Sequence, residues 1–316
     1  MQRQELGRLR ETMRRRDRAR AFDMHTSKVF SCGWSADGRR LATGGVDKKV
    51  CVSHFDGSKL RPEFVGQGHE DGVDTVGWHC TNNDLLASGS RDRSVRIWDL
   101  RLKKGTKNQN TKDANINVGW SPCGNYLAYG DKADKITIVD SRKFSAVHTE
   151  VFNKETNEFI WDPSGRYFFA ATGQGRVVVF SFPEMKQVAQ LQANPDHANC
   201  VCLAVDPQGE RFAVGGNDAV ISIWDMRSLV CLRTVDRLDY PIRGLSFTHD
   251  SKMLACGSED CFIEVAHAAT GERIYDHKTE VESYSVAWHP SQYVLAFTTA
   301  ESYREGGAVR LFGLSE

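Results

Sequence analysis

One position recurs along this chain at a nearly constant period, and it limits the available folds more than any other feature. With Trp78 as reference, equivalent positions fall at Trp34, Trp120, Trp161, Val205, Phe247 and Trp288, spaced by 44, 42, 41, 44, 42 and 41 residues. Most are followed by a turn of one character: Ser-Ala-Asp-Gly at 35–38, Ser-Pro-Cys-Gly at 121–124, Asp-Pro-Ser-Gly at 162–165 and Asp-Pro-Gln-Gly at 206–209. Pro and Gly preset turn dihedrals. Each turn leads into an apolar run such as Leu41-Ala42-Thr43 or Leu254-Ala255-Cys256, then a further strand such as Ile136–Val139 or Ile221–Trp224. Short strands separated by turn residues form a meander, and a sheet with two apolar faces must bury both against neighbours. Seven units in register after residue 24 predict an all-β, seven-bladed β-propeller.

The sharpest unit runs from His69 to Asp99. It reads GHEDGVDTVGW (Gly68–Trp78), LLASGSRD (Leu85–Asp92) and SVRIWD (Ser94–Asp99). The Gly-His entry and Trp-Asp exit resemble a WD40 repeat, which implies a four-stranded blade. His69, Ser88, Asp92 and Trp98 are expected to bond in series as a structural tetrad. A His-Asp-Ser group of this kind imitates a catalytic triad, but it is expected inside a blade with no cleft. Blade one keeps His25, Thr43 and Asp47 but has Ser53 at the Trp position. Blades three and four lack the entry His; Ala133 and Gln174-Gly175 replace the Asp. Blade five regains Asp218 and Trp224-Asp225, and blade six keeps Ser258-Glu259-Asp260. In blade seven, the loop from Ala300 to Gly307 is expected to be a mobile surface insertion.

The ends of the chain divide the labour. Residues 1–18 are expected to be a basic arm and 19–316 the propeller. After Ala308–Phe312 only four residues follow, so the stretch near Arg20-Ala21-Phe22 is expected to supply the outermost strand of the last blade and cover its edge. Deleting 1–24 should then destabilise the ring, whereas deleting 1–16 should not. Leu6, Leu9 and Met13 have the spacing of a weak helical face; the arm reads either as a helix that docks on a partner or as a solvated, partly disordered tail. Residues 1–20 hold eight Arg against Glu5, Glu11 and Asp17, a net of +5. The whole chain has 41 basic and 41 acidic residues, so the remainder carries the opposite charge and no global field draws the molecule to nucleic acid or membrane. Arg14, Arg15, Arg16 and Arg18 are candidate contacts for RNA or an import receptor.

Nine cysteines make no Cys-x-x-Cys pair. Most, including Cys32, Cys51, Cys200, Cys202 and Cys256, fall in predicted strands as small buried hydrophobes. No secretory signal, no run of eighteen apolar residues and no Asn-x-Ser/Thr site is found, which argues for a reducing compartment, cytosol or nucleus. No phosphate loop, H-E-x-x-H, G-x-S-x-G or dinucleotide fingerprint is present. Cys200-x-Cys202 with His197 falls short of a zinc set. The expectation is a protein that is no enzyme, with no cofactor, no metal and no small-molecule substrate. Function then rests on the mouth of the central channel. Positions four residues before each anchor should lie there: Phe30, Asp74, Ile116, Asn157, Val201, Arg243 and Tyr284. The set lacks the several Arg of a nucleic-acid mouth and suits a protein segment. Phe30, Tyr240, Arg243 and Tyr284 are the candidate partner-binding anchors, because aromatics and Arg dominate interface energetics.

Several runs outside the generic repeat resemble the THO complex subunit 3 family. They are Leu229-Val230-Cys231, Arg237–Arg243, Leu245–Asp250, Ser258–Ile263, Ile116–Pro122 and the end from Ala287-Trp288-His289-Pro290 to Leu311-Phe312-Gly313-Leu314. The resemblance covers roughly residues 20–316. It implies a nuclear, non-catalytic scaffold of the THO/TREX assembly, acting in transcription-coupled mRNA packaging and export. Its implied partners are other THO subunits and, through them, export factors and RNA. The arm lies outside the family pattern, and the 300–307 loop is shorter than that pattern. A second reading starts from Trp98-Asp99-Leu100-Arg101 and Trp224-Asp225-Met226-Arg227, which match the W-D-x-R box of substrate receptors in cullin-type ubiquitin ligases.

Overall fold

A computed structural model describes residues 2–299 and 308–314. The strands assemble into seven four-stranded antiparallel sheets. Blades one to six occupy residues 29–66, 73–110, 115–151, 156–192, 200–235 and 242–278. Blade seven takes three strands from 283–312 and its fourth, outermost strand from Ala19–Asp23, which pairs antiparallel with Ala308–Phe312 from Ala19↔Phe312 to Asp23↔Ala308. The ring is thus closed by the N-terminal strand predicted for it. The loop predicted over Ala300–Gly307 lies outside the described residues.

The middle two strands of each blade are buried almost throughout, as in Arg40–Gly45 or Met253–Ser258. The outer strands Lys104–Asn110 and Ser145–Val151 instead alternate exposed and half-buried. The core consists of apolar layers between adjacent blades. One joins Ala42, Val50 and Val52 of blade one to Val73, Val76, Leu86 and Trp98 of blade two. The anchor indoles add a directional stitch across these layers. Trp78 Nε1–H donates to Gly33 O (2.8 Å), Trp120 to Gly77 O (3.2 Å), Trp161 to Gly119 O (3.2 Å), and Trp34 to Ala287 O across the junction of blades seven and one (3.1 Å). The accepting residue always directly precedes the neighbouring blade's own anchor Trp.

The arm is ordered, with one face buried. Gln2–Arg15 forms a helix, α1, the one helix among the described residues. Glu5 in its first turn and Arg14 and Arg15 in its last complement the helix dipole. Leu6, Leu9 and Met13 are buried against Met253, Ile274, Trp288, Leu295 and Phe312 in the groove between blades six and seven. Polar contacts frame this face: Lys252 Nζ meets Glu5 at 3.1 Å, and Arg10 Nη2 donates to Arg273 O at 2.9 Å. The apolar stripe of the arm is therefore spent on its own propeller, and from this burial deleting 1–16 is expected to destabilise the ring, not to leave it unaffected. Large-to-small truncation at such sites costs about 2–5 kcal/mol each. Replacing Leu9 and Met13 together by Ala should lower unfolding free energy by about 4 kcal/mol in urea titrations, and an unchanged midpoint would mean that the helix does not seat on the ring.

Candidate functional site: the mouth of the central channel

The innermost strands wall a central cavity of about 670 Å³. All seven positions read from the repeat as mouth positions line it: Phe30, Asp74, Ile116, Asn157, Val201, Arg243 and Tyr284. Strand register explains why. In every blade the pairing between the first two strands slips at one residue, as from Val29↔Gly45 to Ser31↔Gly44 or from Ile242↔Ser258 to Gly244↔Gly257. The residue skipped is the mouth residue in all seven blades. A β-bulge inserts one unpaired residue and re-aims its side chain. Here seven bulges turn one side chain per blade into the channel.

The mouth has two chemically different halves. On the side of blades six, seven, one and two it is aromatic and charged. Lys28 Nζ stands 3.5 Å from the centroid of the Tyr284 ring and 5.4 Å from that of Phe30, and Arg91 Cζ lies 4.5 Å from Phe30. Cation–π contacts of this kind hold both partners over the ring face. Arg91 Nε also donates to Asp74 Oδ1 (2.9 Å), Arg243 Nε to Glu259 Oε1 (2.8 Å) and Tyr284 OH to Glu282 Oε2 (2.8 Å). Burial raises the Asp74 carboxyl above its usual range, against the pull of Arg91, and pushes the Tyr284 hydroxyl up to about 12. The other half, from blades three to five, presents Ile116, Asn157 and Val201. Tyr240 does not join the others. It is exposed in the loop ahead of Ile242–Phe247, away from the channel lining, and its backbone N–H donates to Asp260 Oδ2 at 3.3 Å.

Lys28, Arg91 and Glu158 were not singled out from the sequence. Glu158 follows the bulge of blade four, lines the cavity, and accepts Leu203 N–H at 2.6 Å. Burial pushes its carboxyl up to about 7. An acidic residue directly before the apolar pair Phe159-Ile160 in an innermost strand was the available signal.

The tetrad of blade two is buried away from the channel. An indole N–H only donates, so Trp98 Nε1–H donates to Ser88 Oγ (2.8 Å). The Ser88 hydroxyl then donates to His69 Nε2 (2.7 Å), and His69 Nδ1–H to Asp92 Oδ2 (2.8 Å), a tautomer set by the network. Burial lowers the His69 pKa despite Asp92. The group ties two strands, the turn between them and the entry loop together, which is a structural role. In blade one His25 bridges Thr43 Oγ1 and Asp47 Oδ1 at 2.8 Å each, without an indole.

The remaining sequence-derived candidates lie apart. Arg14, Arg15 and Arg18 are exposed at the end of α1 and just beyond it, Arg16 is half-buried, and Arg15 pairs with Glu11. Arg101 folds back on Asp99, with Nη2 2.7 Å from Oδ2. Arg227 borders an outer groove between blades four and five. Cys200 and Cys202 are buried, and burial pushes the Cys200 thiol up to about 12. Among the described residues no group of three His, Cys, Asp or Glu is placed to hold a metal ion.

Comparison with known proteins agrees with this architecture. A family profile described as the THOC3 beta-propeller domain matches residues 25–298. The chain belongs to the THO complex subunit 3 family. It is 36% identical over 301 residues to THO complex subunit 3 of Arabidopsis thaliana, covering 93% of this chain and 95% of that protein. It is 27% identical to the WD repeat-containing protein AAC3 of Dictyostelium discoideum over 92% of this chain and 66% of that one. The crystal structure of the Myceliophteria thermophila Cps50 (Swd1) beta-propeller domain superposes with a TM-score of 0.81 at 15% identity, covering 93% of this chain and 98% of that one, a likeness of fold alone. The runs that carried the family resemblance, from Ile116 to Leu314, lie in blades three to seven of the family's propeller.

Two measurements probe this geometry. Ser88→Ala leaves both His69 Nε2 and the Trp98 indole without a partner. At about 1–3 kcal/mol per orphaned buried group, it should cost about 3 kcal/mol in chemical denaturation. A loss under 1 kcal/mol would show that packing alone holds the blade. Glu158 binds its proton more tightly in the fold than in the unfolded chain, where a Glu titrates near 4.3. Stability from this group is therefore present below that value and lost as pH rises through about 7. Glu158→Gln should be more stable than the wild type at pH 8 and lose that advantage at pH 5. A constant difference across the range would contradict the assignment.

Proposed function

We propose that the protein is a non-catalytic scaffold subunit of a nuclear THO assembly, serving transcription-coupled mRNA packaging and export, and that its channel mouth holds a segment of a neighbouring protein subunit. The family supplies the assembly; the seven in-register bulges support the site. A propeller with no chemistry to perform gains nothing from aiming seven unpaired side chains at one point unless that point meets something. The occupant suited to it is amphipathic. Its charged or aromatic side chains meet Phe30, Tyr284, Arg243 and the Lys28 and Arg91 cations, while its apolar ones lie on Ile116 and Val201. Acidic partners already occupy Arg91 and Arg243, which leaves the mouth ill-suited to a phosphate backbone. RNA and export factors are then reached through the assembly, and the basic end of α1 is at most an auxiliary contact. The ubiquitin-ligase reading has no supporting observation, since the Arg101 guanidinium is engaged by Asp99 within its own blade.

The experiment is affinity purification of the tagged full-length protein from nuclear extract after nuclease treatment, with quantification of bound subunits. Wild type should retain a stoichiometric THO set. Phe30→Ala with Arg243→Glu removes two anchors, each worth about 2 kcal/mol or more at a hot spot, and should deplete at least one subunit tenfold or more, while Arg101→Ala leaves the set intact. Recovery of a cullin adaptor in place of THO subunits would overturn the assignment. Full retention by the double variant would move the site away from the mouth.

A further inference from the structure

The groove that α1 fills has a counterpart elsewhere on the ring. Where α1 seats, Met253 opens the second strand of blade six, Ile274 is the second residue of its outer strand, and Lys252 stands just before Met253. Blade four places Tyr167, Val188 and Arg166 at the same three positions. Val188 and Ile274 are also both skipped residues in the pairing of the outer strand. The difference is cover. Under α1, Met253 and Ile274 are 0% and 5% exposed, whereas Tyr167 and Val188 are 37% and 53% exposed. Between blades four and five they border a cavity of about 600 Å³, whose far wall is Met226, Arg227 and Leu229.

Other junctions carry side chains across the corresponding space, and where it stays open, as in the cavity of about 570 Å³ between blades two and three, Thr106 and Lys107 stand where blade four has the apolar Val188 and Ala189. Arg40 reaches from blade one to Asp84 and to Asn83 O of blade two at 2.9 Å each. Lys107 of blade two donates to Ser141 O and Arg142 O of blade three at 2.6 Å each. Phe182 of blade four packs against Tyr126 of blade three with ring centroids 5.0 Å apart. From blade four to blade five the aromatic contact is in the buried core: Phe169, which lines the cavity, packs on Phe212 with ring centroids 5.1 Å apart, while Tyr167 and Val188 stay exposed. Charge points the same way as shape. Lys252 takes Glu5 of α1; among the described residues the guanidinium of Arg166, its counterpart, pairs with no carboxylate and meets the Ser164 hydroxyl (3.1 Å) and the Tyr167 ring.

From this equivalence we infer that the groove between blades four and five docks an amphipathic α-helix of a partner protein. That helix carries apolar side chains at i, i+3 and i+7, as Leu6, Leu9 and Met13 do in α1, and an acidic residue beside the first of them to meet Arg166. The groove is separate from the channel mouth, and the inference does not rest on which assembly supplies the helix.

The test is residue-level photo-cross-linking of the full-length protein carrying p-benzoylphenylalanine at position 188, in a preparation whose bound partners are first verified by mass spectrometry. The cross-links should fall in one segment with apolar residues at three- and four-residue spacing beside an acidic residue. Arg166→Glu with Tyr167→Glu should lower cross-linking from a second probe at position 226 at least tenfold, with the thermal melt of the propeller unchanged. A cross-link to RNA or to a segment without that pattern, no cross-link while partners remain bound, or a yield unmoved by the double variant overturns the inference. If the helix belongs to a protein outside the THO assembly, the groove stands, and the assembly reading is decided by the recovery of THO subunits in the purification.

Discussion

Every blade of this molecule has two apolar faces, and the rest of the structure follows from the need to bury both. A sheet of four short strands cannot do that alone. Stacking buries one face per neighbour and leaves two open ends, so only a closed ring leaves none. Closure here relies on five residue pairs between Ala19–Asp23 and Ala308–Phe312 and on the Trp34 indole reaching Ala287 O across the seam. At four junctions a blade offers its neighbour's anchor indole the carbonyl one residue ahead of its own anchor, whereas the buried Trp288 Nε1 has no hydrogen-bond partner among the described residues. The accepting residue is a Gly at 33, 77 and 119, and at Gly77 an added Cβ would lie 3.2 Å from Val118 O.

The same ring turns a local irregularity into a site. One bulge on one strand is a kink; seven at equivalent positions form a rim whose chemistry is chosen residue by residue while the walls stay constant. The bulged residue has no partner in the strand ladder, so its side-chain type is less constrained than that of a paired position. That freedom lets one half of the rim carry Phe30, Asp74, Arg243 and Tyr284 while the other keeps Ile116, Asn157 and Val201. Blades that have lost the tetrad, such as three and four, still carry their bulges, since their neighbours and not their internal hydrogen bonds enforce the geometry.

What the sequence disclosed and what it withheld divide along these lines. The anchors and their Pro/Gly turns repeat locally, so blade count, ring closure and the seven mouth positions were legible from spacing. The bulges were not, because register depends on a partner strand and the mouth residues share no side-chain type. The cations over Phe30 and Tyr284 come from Lys28 and Arg91; Arg91 reaches Phe30 from the next blade, and only the closed ring brings Lys28 over Tyr284. Tyr240 was grouped with the mouth for being aromatic near Arg243, yet it sits before the strand that the bulge re-aims. The stripe Leu6, Leu9 and Met13 was visible, but its acceptor is assembled from residues 252 to 312 of two blades, so the sequence named the face and not what it would touch.

The central claim is that the fold exists to present this rim to a protein segment. The most direct measurement is a density map of the intact assembly purified from nuclei, inspected at the channel mouth. The account predicts a polypeptide segment of another subunit seated against Phe30, Arg243 and Tyr284, with apolar side chains toward Ile116 and Val201. A mouth open to solvent while the partner subunits contact the propeller elsewhere, or one filled by RNA, would contradict it.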